Sequence, residues 1–187
     1  MTRKAYRIKL CWGIESGECP NLRASEPNLK QDLESVLEHS GWPELLAGSL
    51  TRDIKPLDQF SVSISGCPNG CSRPQIADFG LLQARHPKVI EEACTGCGEC
   101  AQSCREGAID ARAGLARIDP QLCLSCGVCI RSCPEQALHS LRQGYRVQAG
   151  GKLGRHPRLA DELPGIQPRD EMLHILHRCL QLQQESY

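Results

Sequence analysis

The sequence predicts an α/β (α+β) chain interrupted by a small cysteine-dense module, and three observations lead there. Apolar residues alternate with polar ones along short stretches of the first 90 residues, the period of a strand. Other apolar residues recur at helical spacing between those stretches and again near the C-terminus. The third observation is thirteen cysteines in 187 residues, eight of them falling between Cys94 and Cys133.

Taken in order, Tyr6, Ile8 and Leu10 alternate with Arg7 and Lys9, which reads as a half-buried strand. Leu29, Leu33, Val36 and Leu37 recur at helical spacing between Pro27 and Gly41, a start and a stop for a helix. Phe60, Val62 and Ile64 alternate with Ser61, Ser63 and Ser65, a second strand running into Gly66-Cys67. Ile76 to Leu82 reads as a third. From Cys94 to Leu138 the composition turns to small residues, glycine and cysteine, and it contains a repeat. Thr95-Gly96-Cys97-Gly98-Glu99-Cys100-Ala101-Gln102-Ser103-Cys104 recurs as Leu124-Ser125-Cys126-Gly127-Val128-Cys129-Ile130-Arg131-Ser132-Cys133, which predicts a two-fold pseudosymmetric unit. Tyr145-Arg146-Val147 then reads as a short strand before a loop from Gly150 to Arg158. Pro168, with Asp170 and Glu171 behind it, opens a C-terminal helix. One face of that helix carries Met172, Ile175, Leu176, Cys179 and Leu180, so Cys179 is expected as a buried structural thiol. The expected division is 1–90 and 141–187 as two parts of one α/β domain, with 91–140 as the inserted module.

Composition narrows the function class. Lysine and arginine total 22 against 22 acidic residues, so charge makes no case for nucleic acid or a membrane surface as partner. The basic start Met1-Thr2-Arg3-Lys4 is followed by no apolar run of signal-peptide length, and no 18-residue apolar stretch occurs. The expected compartment is the reducing cytoplasm, where many cysteines mean metal rather than disulfides.

The eight clustered cysteines have one spacing used twice. Cys94, Cys97, Cys100 and Cys104 follow C-x2-C-x2-C-x3-C, and Cys123, Cys126, Cys129 and Cys133 repeat it. Three thiolates on one tightly wound loop reach three corners of a 4Fe–4S cubane, and the fourth comes from the other motif. One cluster is thereby assigned to Cys94, Cys97, Cys100 and Cys133, the other to Cys123, Cys126, Cys129 and Cys104. Gly96, Gly98 and Gly127 supply backbone where the loops wrap. A third cysteine at this interval is superfluous to a tetrahedral zinc ion, which sets zinc aside. The segment resembles two-cluster bacterial ferredoxins, with one departure: Pro134 follows the second motif, but Arg105 stands after the first. Arg105 would raise the potential of its neighbouring cluster or simply be solvated.

Cys11, Cys19, Cys67 and Cys71 form a second constellation. Ser65-Gly66-Cys67-Pro68-Asn69-Gly70-Cys71 resembles the second half of the cluster motif of siroheme sulfite and nitrite reductases, and the Gly150–Arg158 loop resembles the segment after the inserted module in dissimilatory-type and anaerobic subunits. The first pair, Cys11 and Cys19, is spaced C-x7-C where the family has C-x5-C. The chain resembles only the C-terminal half of such a subunit. What the resemblance implies is a third 4Fe–4S cluster on Cys11, Cys19, Cys67 and Cys71, with siroheme iron held through Cys71 where siroheme is present. One half-site cannot enclose a macrocycle without a partner surface, so siroheme stays an alternative. The count agrees, since twelve cysteines serve three clusters and only Cys179 is left over.

Arg142, Arg146, Lys152, Arg155, His156 and Arg158 form a basic stretch, either an anion-contacting loop or, the reading preferred on sequence alone, a solvated one. His39, His86, His139, His174 and His177 have no ligand-like spacing and are read as surface or capping residues. No phosphate loop, nucleotide-binding pattern or catalytic triad appears, so no catalytic residue is assigned and electrons must come from another protein. The expected function is an electron-transfer protein or subunit of an anaerobic oxidoreductase, its partner a flavin or iron–sulfur oxidoreductase. The alternative is a half-size siroheme-dependent reductase completed by a homodimer or by a separate related subunit. A cluster-based sensor has no output element to act through.

Overall fold

The computed structural model describes residues 3–22, 24 and 26–187; Met1 and Thr2 of the basic start lie outside them. Its main layer is a five-stranded mixed sheet in the order β1-β2-β3-β6-β7. β1 (Tyr6–Leu10), β2 (Phe60–Ser65) and β3 (Phe79–Val89) run parallel, while β6 (Leu138–Ala149) and β7 (Asp161–Glu162) add on antiparallel. This is the mixed α/β class expected.

Ladder register sorts the side chains into two faces. Tyr6 pairs with Phe60, Ile8 with Val62, Leu10 with Ile64, Ile64 with Leu81, and Leu81 with Val147. These apolar residues therefore share one side of the sheet. The helices α2 (Leu29–Glu38), α3 (Trp42–Ser49) and α6 (Arg169–Glu185) close over that side. Leu33 and Leu37 of α2, Leu46 of α3, and Met172, Leu176 and Leu180 of α6 are wholly buried against it. Each such side chain contributes about 1.5–3 kcal/mol of burial, so this layer carries most of the fold. Polar ties fix how the helices sit. The Trp42 indole donates to the Ala5 carbonyl at 3.0 Å, Gln184 Nε2 to Ser40 O at 2.7 Å, and Arg169 pairs with both Glu26 and Asp32.

The opposite side of β2 is polar yet buried. Ser61, Ser63 and Ser65 are covered by the chain between β2 and β3 and are satisfied there, as buried hydroxyls must be. Ser63 Oγ donates to Ser72 O at 2.8 Å, Ser65 and Ser72 hydroxyls lie 2.7 Å apart, and Ser61 bonds Asp78 through both its amide and its hydroxyl.

Between β3 and β6 the chain builds a second small unit. It holds the short helices α4 (Glu99–Ser103) and α5 (Val128–Ser132) and a two-stranded antiparallel sheet of β4 (Ile109–Asp110) and β5 (Arg117–Ile118). Its own small core includes Cys100, Cys129, Ile109, Ala116 and Leu138. Three features depart from expectation. The third strand begins at Phe79 rather than Ile76, because Pro74–Ile76 is a 3-10 turn. It also runs on to Val89, accommodating Pro87 by a register shift at His86/Pro87. Its partner β6 spans Leu138–Ala149, far longer than the stretch around Tyr145.

Candidate functional site

The two repeats interleave around two cavities. Cys94, Cys97, Cys100 and Cys133 line one; Cys104, Cys123, Cys126 and Cys129 line the other. Each cavity therefore takes three thiols from one repeat and one from the other. Electrostatics group the thiols in the same way. Burial raises the Cys100 thiol above its ordinary range, with Cys133 and Cys94 adding to it. Burial, then Cys126, Cys123 and Cys104, push Cys129 up to about 12. Cys123 is raised by burial and by Cys126 and Cys104.

Local sequence explains the geometry. Gly96 has φ +68, and a Cβ there would lie 2.4 Å from the Gly114 carbonyl oxygen, so only glycine lets that loop close. Gly127 has φ +64, and a Cβ would come within 3.0 Å of Arg85 Cβ. Backbone amides aim at sulfur twice per cavity. Ala116 N reaches Cys94 Sγ at 3.5 Å and Ala137 N reaches Cys133 Sγ at 3.3 Å. Ala108 N and Ser125 N each reach a sulfur at 3.4 Å, on Cys104 and Cys123.

The residues fit a cubane on three counts. Four thiols ring each cavity, amide donors are in place to stabilise thiolate and sulfide charge, and Gly96 and Gly127 let the surrounding loops pack closely. Among the described residues no three His, Cys, Asp or Glu side chains converge on a point for a single metal ion.

Cys11, Cys19 and Cys67 gather at the C-terminal end of the parallel strands. Leu10 and Ile64 are ladder partners, so Cys11 and the Ser65-Gly66-Cys67 turn emerge side by side. Cys11 N donates to Ile64 O at 2.9 Å, and Gly66 N to Cys11 Sγ at 3.3 Å. The helix α1 (Trp12–Ser16) turns the chain back, and Gly17 at φ +73 ends it. A Cβ on Gly13 would stand 2.6 Å from Cys19 Cβ, 3.3 Å from Cys19 Sγ and 3.9 Å from Cys11 Sγ. Cys11, Cys19 and the Cys67 turn are thus brought together. Cys67 is buried, whereas Cys71 stands exposed beyond the turn.

The small unit abuts this end of the sheet. Arg85 forms a parallel bridge with Cys126, its amide donating to Ser125 O at 2.7 Å. Two residues earlier, Gln83 bonds the Ala24 backbone on both sides, Nε2 to O at 3.2 Å and Oε1 from N at 3.4 Å. The Cys104, Cys123, Cys126 and Cys129 set is therefore joined by one strand segment to the Cys67 neighbourhood.

His86, expected at the surface, is half-buried with Nδ1 3.1 Å from Ser125 Oγ; its place on a strand beside the repeat was the missed signal. Gly13, two residues after Cys11, was also passed over, and the contact it permits could be read only from the folded chain. Arg105 is exposed, and Cys179 is half-buried with its thiol raised by burial. Of the basic stretch, Arg146 is not simply solvated, because it makes a two-pronged pair with Glu162 at 2.7 and 2.8 Å. Arg142 is exposed on β6. Lys152, Arg155, His156 and Arg158 line a wide, open groove together with Arg7 and the exposed Leu57, Leu153 and Leu182. None of the twelve cluster-motif cysteines lines that groove.

Comparison with known proteins adds three findings. The family model described as the nitrite and sulphite reductase 4Fe-4S domain matches residues 58–186, a range that holds Cys67, Cys71 and the eight repeat cysteines but not Cys11 or Cys19. The chain is 47% identical over 126 residues to the coenzyme F420-dependent sulfite reductase of Methanocaldococcus jannaschii, covering 65% of this chain and 20% of that one. It is 34% identical over 50 residues to one of the anaerobic sulfite reductase subunits of Salmonella typhimurium, covering 27% and 15%. Dissimilatory sulfite reductase I superposes on 95% of this chain with a TM-score of 0.58 and 18% identity, over 46% of its own length, a likeness of fold. The chain thus spans less than half the length of each of these relatives. Among the described residues no helix is long and apolar enough to cross a membrane.

Proposed function

The chain belongs to the nitrite and sulphite reductase 4Fe-4S domain family, and on that premise we propose that it is an electron-transfer protein or subunit of a cytoplasmic, anaerobic oxidoreductase, holding three 4Fe–4S clusters. When bound, such clusters supply one-electron transfer at potentials set by hydrogen bonds to sulfur, charge and solvent exposure. The observation that carries this reading is the interleaving of the two repeats around two four-thiol cavities. Residues 91–140 act as the ferredoxin-type module, with 1–90 and 141–187 as the reductase-like domain around it.

Each side chain then has a task. Cys94, Cys97, Cys100 and Cys133 hold one cluster, and exposed Cys97 marks where an external redox protein, flavin or iron–sulfur, approaches most closely. Cys104, Cys123, Cys126 and Cys129 hold the second, deeper one. Cys11, Cys19, Cys67 and Cys71 hold the third, beside the Arg85–Gln83 segment that links it to the second set. Cys71, at the exposed edge, faces whatever protein docks next.

One observation favours a second reading, a siroheme-dependent sulfite or nitrite reductase completed by a second copy or a related subunit. Among the described residues, none of the groove cations Arg7, Lys152, Arg155 and Arg158 has a carboxylate partner within ion-pair distance, which suits a ligand bearing several carboxylates. Since Cys71 does not line the groove, this reading needs the ligand to reach from one to the other.

The test is anaerobic purification followed by iron, acid-labile sulfide and tetrapyrrole analysis of one sample. At four irons per cubane, about 12 irons without pigment supports the three-cluster carrier. About 8 removes the third cluster, and a siroheme-like pigment moves the protein to the second reading.

A further inference from the structure

We propose that Arg131 is a positioning residue that latches the Cys19 segment to the ferredoxin-type module and so holds the third cysteine set closed. The proposal rests on the reading that Cys11, Cys19, Cys67 and Cys71 act as one site. It starts from a contact that joins two parts of the chain far apart in sequence: Arg131 Nη1 donates to the Pro20 carbonyl at 3.0 Å. Arg131 lies in α5, between Cys129 and Cys133, so its backbone is held by residues of both four-thiol cavities. Pro20 directly follows Cys19.

What the latch holds is visible downstream of Pro20. Leu22 N donates to Cys19 O at 3.0 Å, and Leu22 reaches over Gly66, where an added Cβ would lie 2.5 Å from its Cδ1. Ala24 is gripped by Gln83, and Glu26 and the Pro27 carbonyl by Arg169. Among the described residues, the Cys19 end of this segment joins no strand ladder. Arg131 anchors the residue directly after Cys19, and it does so from the module itself. Arg131 has no carboxylate partner among the described residues, so its guanidinium is committed to this one carbonyl. A module whose cavities are filled fixes α5 and thereby the segment. The linkage is reciprocal, so a closed segment also favours an ordered α5.

The experiment is amide hydrogen exchange on the anaerobically purified, cluster-loaded chain, comparing wild type with Arg131→Gln and Arg131→Lys. Losing one solvent-facing, charge-assisted hydrogen bond predicts about fivefold faster exchange at the Leu22 and Ala24 amides in the glutamine variant. The lysine variant, which keeps a charged donor, restores most of the protection. Core amides such as that of Leu33 should exchange as in wild type. Chelator challenge should release one four-iron portion of the glutamine variant sooner than the rest. Unchanged exchange at Leu22 and Ala24, or an equal rise throughout the core, overturns the latch. Iron content separates the two ideas. A wild type with only about 8 irons refutes the third cluster, while the exchange comparison on that same protein still decides whether Arg131 holds the segment.

Discussion

Replacing Cys104 by serine should cost the cluster of the other repeat. Cys104 lies in the first motif, but the structure places it on the cavity of Cys123, Cys126 and Cys129, and it is among the thiols that raise Cys129. Cys94 and Cys133 are the thiols that raise Cys100. Each cubane holds four irons, so any single serine that abolishes one cluster removes about four. The discriminating measurement is a pairwise cycle, since residues of one unit are non-additive and residues of separate units add. Cys104→Ser with Cys123→Ser should lose about four irons, no more than either alone, whereas Cys104→Ser with Cys94→Ser should lose about eight. Colorimetric iron and sulfide assays on anaerobic samples read the difference, and electron paramagnetic resonance of the reduced protein counts the remaining spins. The opposite pattern, with Cys104 additive to Cys123 and not to Cys94, would refute the interleaved assignment.

Two further outcomes follow from the same geometry. Gly13→Ala puts a methyl 2.6 Å from Cys19 Cβ at a helical position where alanine itself is welcome. It should therefore remove about four irons from a twelve-iron protein and leave the signals of the module unchanged; full iron content in the variant would mean that Cys19 is not a ligand. The cluster-free protein should lose stability in alkali. The Cys129 thiol is raised on folding from an ordinary value of about 8.5 to about 12, so the folded state holds its proton more tightly than the unfolded chain does. That contribution is complete below about pH 8.5 and disappears as pH climbs toward 12. Thermal melts of the reduced apoprotein should fall between about pH 8 and pH 10, and a flat profile would refute the burial of that thiol.

Much of this was legible before folding, and the reasons are local. β1 and the first turns of α2 and α6 announce themselves by period, because one face of each is buried and the other is not. β2 does so because its two buried faces differ in polarity, apolar on one side and serine on the other. The helix α3, Trp42–Ser49, escaped notice because Pro43, Gly48 and Ser49 dilute its apolar pattern. β6 was legible only around Tyr145, since its first half, Leu138–Gln143, pairs with β3 while exposing residues such as His139, Leu141 and Arg142. There the backbone ladder, rather than side-chain alternation, makes the strand. For the candidate site, cysteine spacing conveyed the two four-thiol sets, because a loop of fixed length limits which corners its thiols reach. It could not convey Gly13 against Cys19, His86 beside Ser125, or Arg131 on Pro20. Those contacts depend on how separate elements meet.

The shift at His86/Pro87 leaves Val89 and Leu138 as ladder partners at the far end of the long β3–β6 ribbon. Everything from residue 90 to 137 therefore leaves and re-enters the sheet through two neighbouring strand positions. To the sheet, this whole segment is a hairpin tip. Closing a longer tip costs only about 0.6 kcal/mol per doubling of length, so a tip this size burdens the host by little more than an ordinary loop would. A gene could gain or shed such a cassette in one event and still encode the same underlying sheet. The ribbon is thus a joint at which the length and content of the 90–137 segment can vary at little cost to the sheet beneath it.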